Sequence, residues 1–157
     1  MRRQEREVVQ EEKIQQVMGK CKVCRIGFYD QGEIYIVPVN FGYRLKDGIW
    51  TLYIHGAKQG RKAGLFRQKP LVGFEMDCGH ELLCGETACN YSFQYASIVG
   101  TGIGRIVEDA EEKVAGLKCI MTHQTGKSFA VTEAMAEAVG VFKITVEKIS
   151  CKQNLPE

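Results

Sequence analysis

This sequence has no apolar run near the ~18 residues that a membrane-spanning helix needs. A segment of that kind is not expected. The opening MRRQEREVVQEEK carries charge where a signal peptide would place its apolar region, which predicts a cytoplasmic protein. Net charge is also scarce. Twenty-one Lys and Arg against nineteen Asp and Glu leave +2, too little to make nucleic acid or an anionic membrane the expected partner. Arg2-Arg3 reads as a solvated arm within residues 1–9. Proline is limited to three residues, and the 45% hydrophobic and 25% charged content is that of a soluble globular chain. At 157 residues the chain is expected to form one domain with an ordinary core. Cysteine is plentiful, but seven is an odd number, and in the cytosol most are expected to be reduced thiols.

What is present is mainly β. Residues 10–20 can form a short helix with Ile14, Val17 and Met18 on one face and Gly19 as a stop. Three short β-rich runs follow: 23–29, 34–41 and 49–54. They are separated by turn signals at Asp30-Gln31-Gly32-Glu33 and Lys46-Asp47-Gly48, and make an antiparallel meander. A helix covers about 60–68 and ends before Lys69-Pro70. Strand character returns at 71–76, residues 78–90 read as irregular, and a long β segment runs from Tyr91 to Val107. Asp109 with Glu112 three positions on opens a helix to about Thr122. A short helix at 132–138 and an alternating strand at 141–149 complete the chain. About six strands joined mostly by short turns favour a small closed or half-closed antiparallel barrel, since closure removes exposed edges.

The stretch LYIHGAKQGRKAGLF, 52–66, has the parts of an anion cradle. A Walker loop is excluded: Gly56 and Gly60 are separated by only three residues, Arg61 intervenes, and Ala63 has no hydroxyl for magnesium. What remains is a strand end, a glycine turn, and Arg61-Lys62 in the first turn of a helix. Arg supplies a planar fork and Lys a point charge, both suited to a phosphate monoester. The alternative is a pair of solvated surface charges.

Gly100, Gly102 and Gly104 share one face of a strand, which marks either a barrel corner or close approach by a ligand. Pro38 interrupts an apolar strand and places it at a local edge, and Asn40 adds an amide that can donate and accept. His55 suits a catalytic acid/base, a ligand contact or a structural role, and His123 stands at a helix C-terminus. Cys21-Lys22-Val23-Cys24, with Cys78, His80, Cys84 and Cys89, raises a metal site against a default of buried thiols; no metal is assigned.

Taken in order, IVPVNFGY (36–43), LYIHGAKQGRK (52–62), FEMD (74–77), YASIVGTGIGRIVED (95–109) and IMTHQTG (120–126) resemble the pyridoxamine 5′-phosphate oxidase-like flavin-binding split-barrel family, in the branch of the nitroimidazole-resistance proteins. The match spans about 1–152. The resemblance implies a six-stranded antiparallel Greek-key split barrel with flanking helices, forming a homodimer with FMN at the subunit interface. Arg61 and Lys62 match its phosphate-binding positions, with Gly60 before them. Val37, Pro38, Val39 and Asn40 match the strand along the isoalloxazine ring. Ile54, His55, Gly56 and Ala57 line the same cleft, Ser97 and Val99 approach the cofactor across the dimer, and His123 and Gln124 match a nearby loop. Two positions depart from the pattern: Gly56, where relatives often have Ser or Cys, and Ala96, where many have Arg.

The activity implied is that of an FMN-dependent oxidoreductase reducing a small electron acceptor, such as a nitro compound, at the expense of an external donor such as NAD(P)H. His55 is its candidate catalytic residue. A non-enzymatic carrier or sensor of flavin, or of another anionic heterocycle, is the alternative. A cysteine-metal protein stands third.

Overall fold

The computed structural model describes residues 4–68 and 71–154. Seven strands and four α-helices follow one another as β1 (Glu7–Val8), α1 (Glu11–Lys20), β2 (Val23–Asp30), β3 (Glu33–Lys46), β4 (Ile49–Gly56), α2 (Arg61–Arg67), β5 (Leu71–Leu83), β6 (Ser92–Ile106), α3 (Ala110–Thr125), α4 (Glu133–Glu137) and β7 (Gly140–Asn154). The sheet runs β1-β7-β4-β3-β2-β5-β6, and β7 also pairs with β6. That second pairing closes β2 to β7 into a six-membered antiparallel ring, with β1 added outside on β7.

Local chemistry fixes the hairpins. Gln31 and Gly32 have φ of 51° and 95°, and Asp47 and Gly48 have 52° and 74°. Two positive-φ residues in a two-residue turn match the right-handed twist of the strands they join. The strands alternate in burial and send Ile26, Phe28, Phe41, Leu52, Ile54, Phe74, Met76, Ile98, Phe142 and Ile144 into one core. At about 25 cal/mol per Å² of apolar surface removed from water, such side chains contribute ~1.5–3 kcal/mol each.

Helix α1 closes the core with Ile14, Val17 and Met18, as its spacing predicts. Gly19 does not stop it; the helix runs through Lys20 and ends at extended Cys21, whose N–H still bonds Val17 O. The backbone at Gly19 stays helical because Met18 beside it is fully buried, and packing outweighs the ~1 kcal/mol propensity cost of glycine. Asp109 caps α3 by accepting from Glu112 N at 2.7 Å, and Gly126 at φ 71° ends it.

Three other expectations change. Residues 78–90 are not irregular throughout: after a register shift between Cys78 and Glu81, β5 resumes pairing with β6 as far as Leu83. Arg2-Arg3, expected as a solvated arm, lie outside the described residues, but further along Glu7 and Val8 pair with Lys152 and Cys151 and Val8 is buried. The helix expected to reach residue 68 ends at Arg67, and Lys69-Pro70 lie outside the described residues.

The glycine row proves to be a packing feature. A side chain at Gly100 would overlap Phe74 and Lys148 O, one at Gly102 would overlap Thr145 O, and one at Gly104 would overlap Phe66. The β6–β7 register shifts between Thr101 and Gly102, so the row lets the barrel turn a corner. Among the described residues no helix is long and apolar enough to cross a membrane.

Candidate functional site

Strand β4 is held on both sides where it matters. Ile54 pairs with Phe41 on β3 and Phe142 on β7, and His55 and Gly56 pair with Val141 and Gly140. The chain then leaves the sheet through Ala57-Lys58-Gln59 and reaches Gly60 at φ 109°, a conformation that side chains rarely tolerate. Gly60 stands at the start of α2, and its carbonyl accepts from Gly64 N at 2.9 Å. This aims Arg61 and Lys62 back toward the strand ends.

Arg61 Nε donates to Asp30 Oδ2 at 2.8 Å, and Nη2 reaches Glu33 Oε2 at 3.4 Å. Its guanidinium carbon lies 4.5 Å from the centre of the Tyr35 ring. The β2–β3 hairpin therefore grips the arginine by charge and by stacking. The two carboxylates differ. Asp30 keeps only 20% of its side chain exposed, whereas Glu33 keeps 76%. The long contact to an exposed Glu33 is weak, being screened by solvent, and yields readily to a ligand. Releasing it frees Nη2 for an incoming anion.

Lys62 is half-buried. Its Nζ donates to His55 O at 3.4 Å and lies 5.5 Å from the centre of the Phe142 ring. No described carboxylate pairs with it, and burial lowers its pKa below that of an ordinary lysine. A half-buried cation without a counter-ion is the state that a bound anion relieves. A side chain at Gly56 would lie 2.8 Å from Lys62 Nζ, so the ammonium takes the room that a side chain there would need. These features fit a phosphate: a fork held by Asp30, an ammonium with no carboxylate partner, and a turn with no side chain at Gly60.

The other expected residues fall into separate groups. Val37 and Val39 are half-buried against the core, while Pro38 is exposed. Over 33–40, β3 pairs with β2, and over 41–46 with β4, so Pro38 lies where only β2 is paired. Asn40 sits at the end of this segment. Its Nδ2 donates to Lys22 O at 3.1 Å and to Gln124 Oε1 at 3.3 Å. Gln124 Nε2 in turn donates to Lys22 O and Phe41 O, at 3.1 and 2.9 Å. His123 Nε2 is 2.8 Å from Cys21 O, and its ring packs on Phe41 and Tyr43 with centroids 4.6 and 5.2 Å apart. Burial pushes its pKa down from the ordinary histidine value. Asn40, His123 and Gln124 therefore join α3 to β3 and to the 21–22 turn, and Asn40 Oδ1 is left for a ligand. Ile54 is fully buried, so its side chain serves the core. The His55 side chain is exposed beside the cradle.

Ser97 and Val99 lie on β6, opposite Asp77 and Glu75 on β5 and Lys152 and Ser150 on β7. Val99 is 55% exposed, and the side-chain hydrogen bonds of Arg61 and Lys62 go to Asp30, Glu33 and His55 O, not to Ser97 or Val99. Asp30, Glu33, Tyr35 and Phe142 escaped sequence reasoning as site residues. The acidic residues flanking Gln31-Gly32 were the only signal, since a turn so placed has to face some part of the molecule.

The cysteines remain thiols, and among the described residues no group of three or more His, Cys, Asp or Glu is arranged to hold a metal. Cys21, Cys24 and Cys151 are buried, and burial pushes the Cys24 thiol up to about 12 and that of Cys151 to about 11.

Comparison with known proteins identifies the fold and the family. A 5-nitroimidazole antibiotic resistance candidate from Bacteroides thetaiotaomicron is 30% identical, covering 94% of this chain and 86% of its own, with a TM-score of 0.79. An FAD and haem binding protein from Mycobacterium smegmatis shares the fold at 16% identity, 97% and 76% coverage and TM-score 0.79. A flavocytochrome from Azotobacter vinelandii does so at 17%, 99% and 72%, with 0.78. No curated protein matches the chain. The pyridoxamine 5′-phosphate oxidase family model matches residues 10–153, nearly the whole length, and the chain belongs to that family.

Proposed function

We propose that this protein binds FMN and acts as a flavin-dependent oxidoreductase on a small electron acceptor. The observation that carries the reading is Lys62, a half-buried ammonium with no carboxylate partner, one residue from an Arg61 already oriented by Asp30. Arg61 offers its terminal fork to the phosphate, and Lys62 supplies the point charge. Val37 to Asn40 flank the ring on the part of β3 paired only with β2, with Asn40 Oδ1 the available acceptor. Bound flavin would supply two-electron hydride chemistry. The chain's part is to bind, orient and exclude water.

Val99 is exposed on β6 and neither it nor Ser97 bonds Arg61 or Lys62, which favours a homodimer in which a second copy brings β6 to the cofactor. His55, exposed beside the cradle, is placed to orient substrate or hand on a proton. The likeness to a nitroimidazole-resistance candidate favours a nitro compound as acceptor, with a reduced pyridine nucleotide as donor.

The absorption spectrum of the purified protein tests the reading directly. An oxidised-flavin spectrum, or its recovery on adding FMN, is expected; colourless protein that FMN cannot reconstitute overturns it. Arg61→Ala with Lys62→Ala is expected to weaken FMN about a hundredfold and leave riboflavin within a few-fold, since two charge-assisted contacts are lost. Tighter binding of FAD than FMN would move the assignment to the dinucleotide. If flavin binds but neither NAD(P)H nor dithionite supports turnover of a nitro compound, the protein is a flavin carrier or sensor.

A further inference from the structure

A second cavity lies behind the turn that carries Arg61 and Lys62. It has a volume of about 220 Å³ and opens between α2, α3 and the facing ends of β6 and β7. None of Asp30, Glu33, His55, Arg61 or Lys62 lines it. Its floor is apolar: Val107 is buried, Val139 is half-buried, and Phe142 turns one side toward the cavity while Lys62 lies near its ring. Its rim is cationic, carrying Lys58, Arg67 and Lys113 against Glu108.

The three cations are not equivalent. Lys113 keeps only 13% of its side chain exposed and is already matched by Glu137 at 2.6 Å. Arg67 spends one terminal nitrogen on Lys58 O at 2.9 Å, a contact that holds the two side chains at one edge of the cavity. Among the described residues neither Lys58 nor Arg67 has a carboxylate within ion-pair distance. Lys58 contributes, after Lys113, to holding the Glu137 carboxyl below its ordinary value, and Glu108 shares the rim, but neither acid forms an ion pair with Lys58 or Arg67. An apolar floor beneath two cations outside any ion pair suits a ligand with a hydrocarbon body and one anionic head. The volume lies below the ~300–1,000 Å³ usual for drug-sized ligands, so the body must be small. A bare inorganic anion would leave the apolar floor uncovered, and a neutral molecule would leave the charges unmatched.

We propose that this cavity is a binding site for a small apolar carboxylate, with its head on Lys58 and Arg67 and its body on Val107, Val139 and Phe142. The site is separate from the phosphate cradle and stands whether or not flavin binds there. Phe142 and the turn 57–60 are shared by both.

Benzoate is the probe, titrated into the protein as purified and followed by calorimetry and by methyl NMR. Saturable binding is expected, with shifts centred on the Val107 and Val139 methyls. Lys58→Glu and Arg67→Gln are each expected to weaken it about tenfold, the loss of one charge-assisted contact. Lys58 and Arg67 are exposed, so the folds should survive, and unchanged far-ultraviolet dichroism verifies that. Benzyl alcohol and inorganic phosphate are each expected to bind at least tenfold more weakly than benzoate. The proposal is overturned by an absence of saturable benzoate binding to the unaltered chain, by equal affinity in both folded variants, or by equal affinity for either control. Shifts centred on the cradle strands instead of Val107 and Val139 would also overturn it.

Discussion

Arg61 Nε sits 2.8 Å from Asp30 Oδ2, which joins the first turn of α2 to the end of β2 across 31 residues of chain. The contact both orients the guanidinium and competes with a phosphate for its charge. Those effects can be separated. Asp30→Asn keeps an oxygen acceptor for Nε and removes the negative charge, so FMN is expected to bind up to about fivefold more tightly. Asp30→Ala removes the acceptor too, frees the arginine, and is expected to lose that gain or fall below the unaltered protein. Fluorescence titration with FMN, and with riboflavin as the phosphate-free control, measures both.

His123 makes stability fall in mild acid. Its native pKa is held below the ordinary ~6.5 chiefly by burial, so the unfolded chain takes up its proton first as pH drops. This contribution is complete above ~6.5 and is lost as pH falls from there through the lower native value. His123→Asn should cost stability at pH 7, where the bond to Cys21 O and the packing on Phe41 are lost. The gap from the unaltered protein should narrow on going to pH 5. Urea midpoints at the two pH values decide it, and a constant gap would rule out the titration.

Gly100 and Gly64 are expected to respond oppositely to alanine. A methyl at Gly100 meets Phe74 and Lys148 O with no room to yield, and should cost ~1–3 kcal/mol through overpacking. Gly64 lies inside α2 with nothing within 4 Å of an added Cβ. Alanine there should stabilise by ~0.5–1 kcal/mol, because helical glycine carries an entropy cost. Chemical denaturation of the two variants side by side provides the comparison.

Thiol reactivity should divide by burial. Cys84 and Cys89 are exposed, and an aromatic disulfide reagent is expected to label these two quickly in the native protein. Cys21, Cys24 and Cys151 are buried, with thiols raised mainly by desolvation, and should react only as the protein unfolds. Mass spectrometry of a timed reaction assigns the order. Rapid labelling of Cys24 in folded protein would contradict the packing.

Much of this molecule is written in local pattern. The β-rich runs at 23–29 and 141–149, the Asp47-Gly48 turn and the Asp109 cap each depend on neighbours in sequence, and each forms as expected. Residues 78–90 failed as a reading because β5 continues past a register shift, and Gly79, Cys84 and Gly85 mask pairing that long-range contact with β6 supplies. Asn40 on one strand and His123 and Gln124 on a separate segment were each legible as candidates. That they bond one another and Lys22 was not, because the hydrogen bonds link residues up to 102 positions apart.

By itself the sequence determined the antiparallel character, the main turns, and the position of two adjacent cations after a glycine turn, since φ preferences and side-chain alternation act over a few residues. Tertiary structure alone decided which strands close the ring, that the β2–β3 hairpin would hold Arg61, and that Lys62 would be left half-buried without a counter-ion. Charge and burial are properties of what surrounds an atom, and those surroundings exist only once distant segments have packed together.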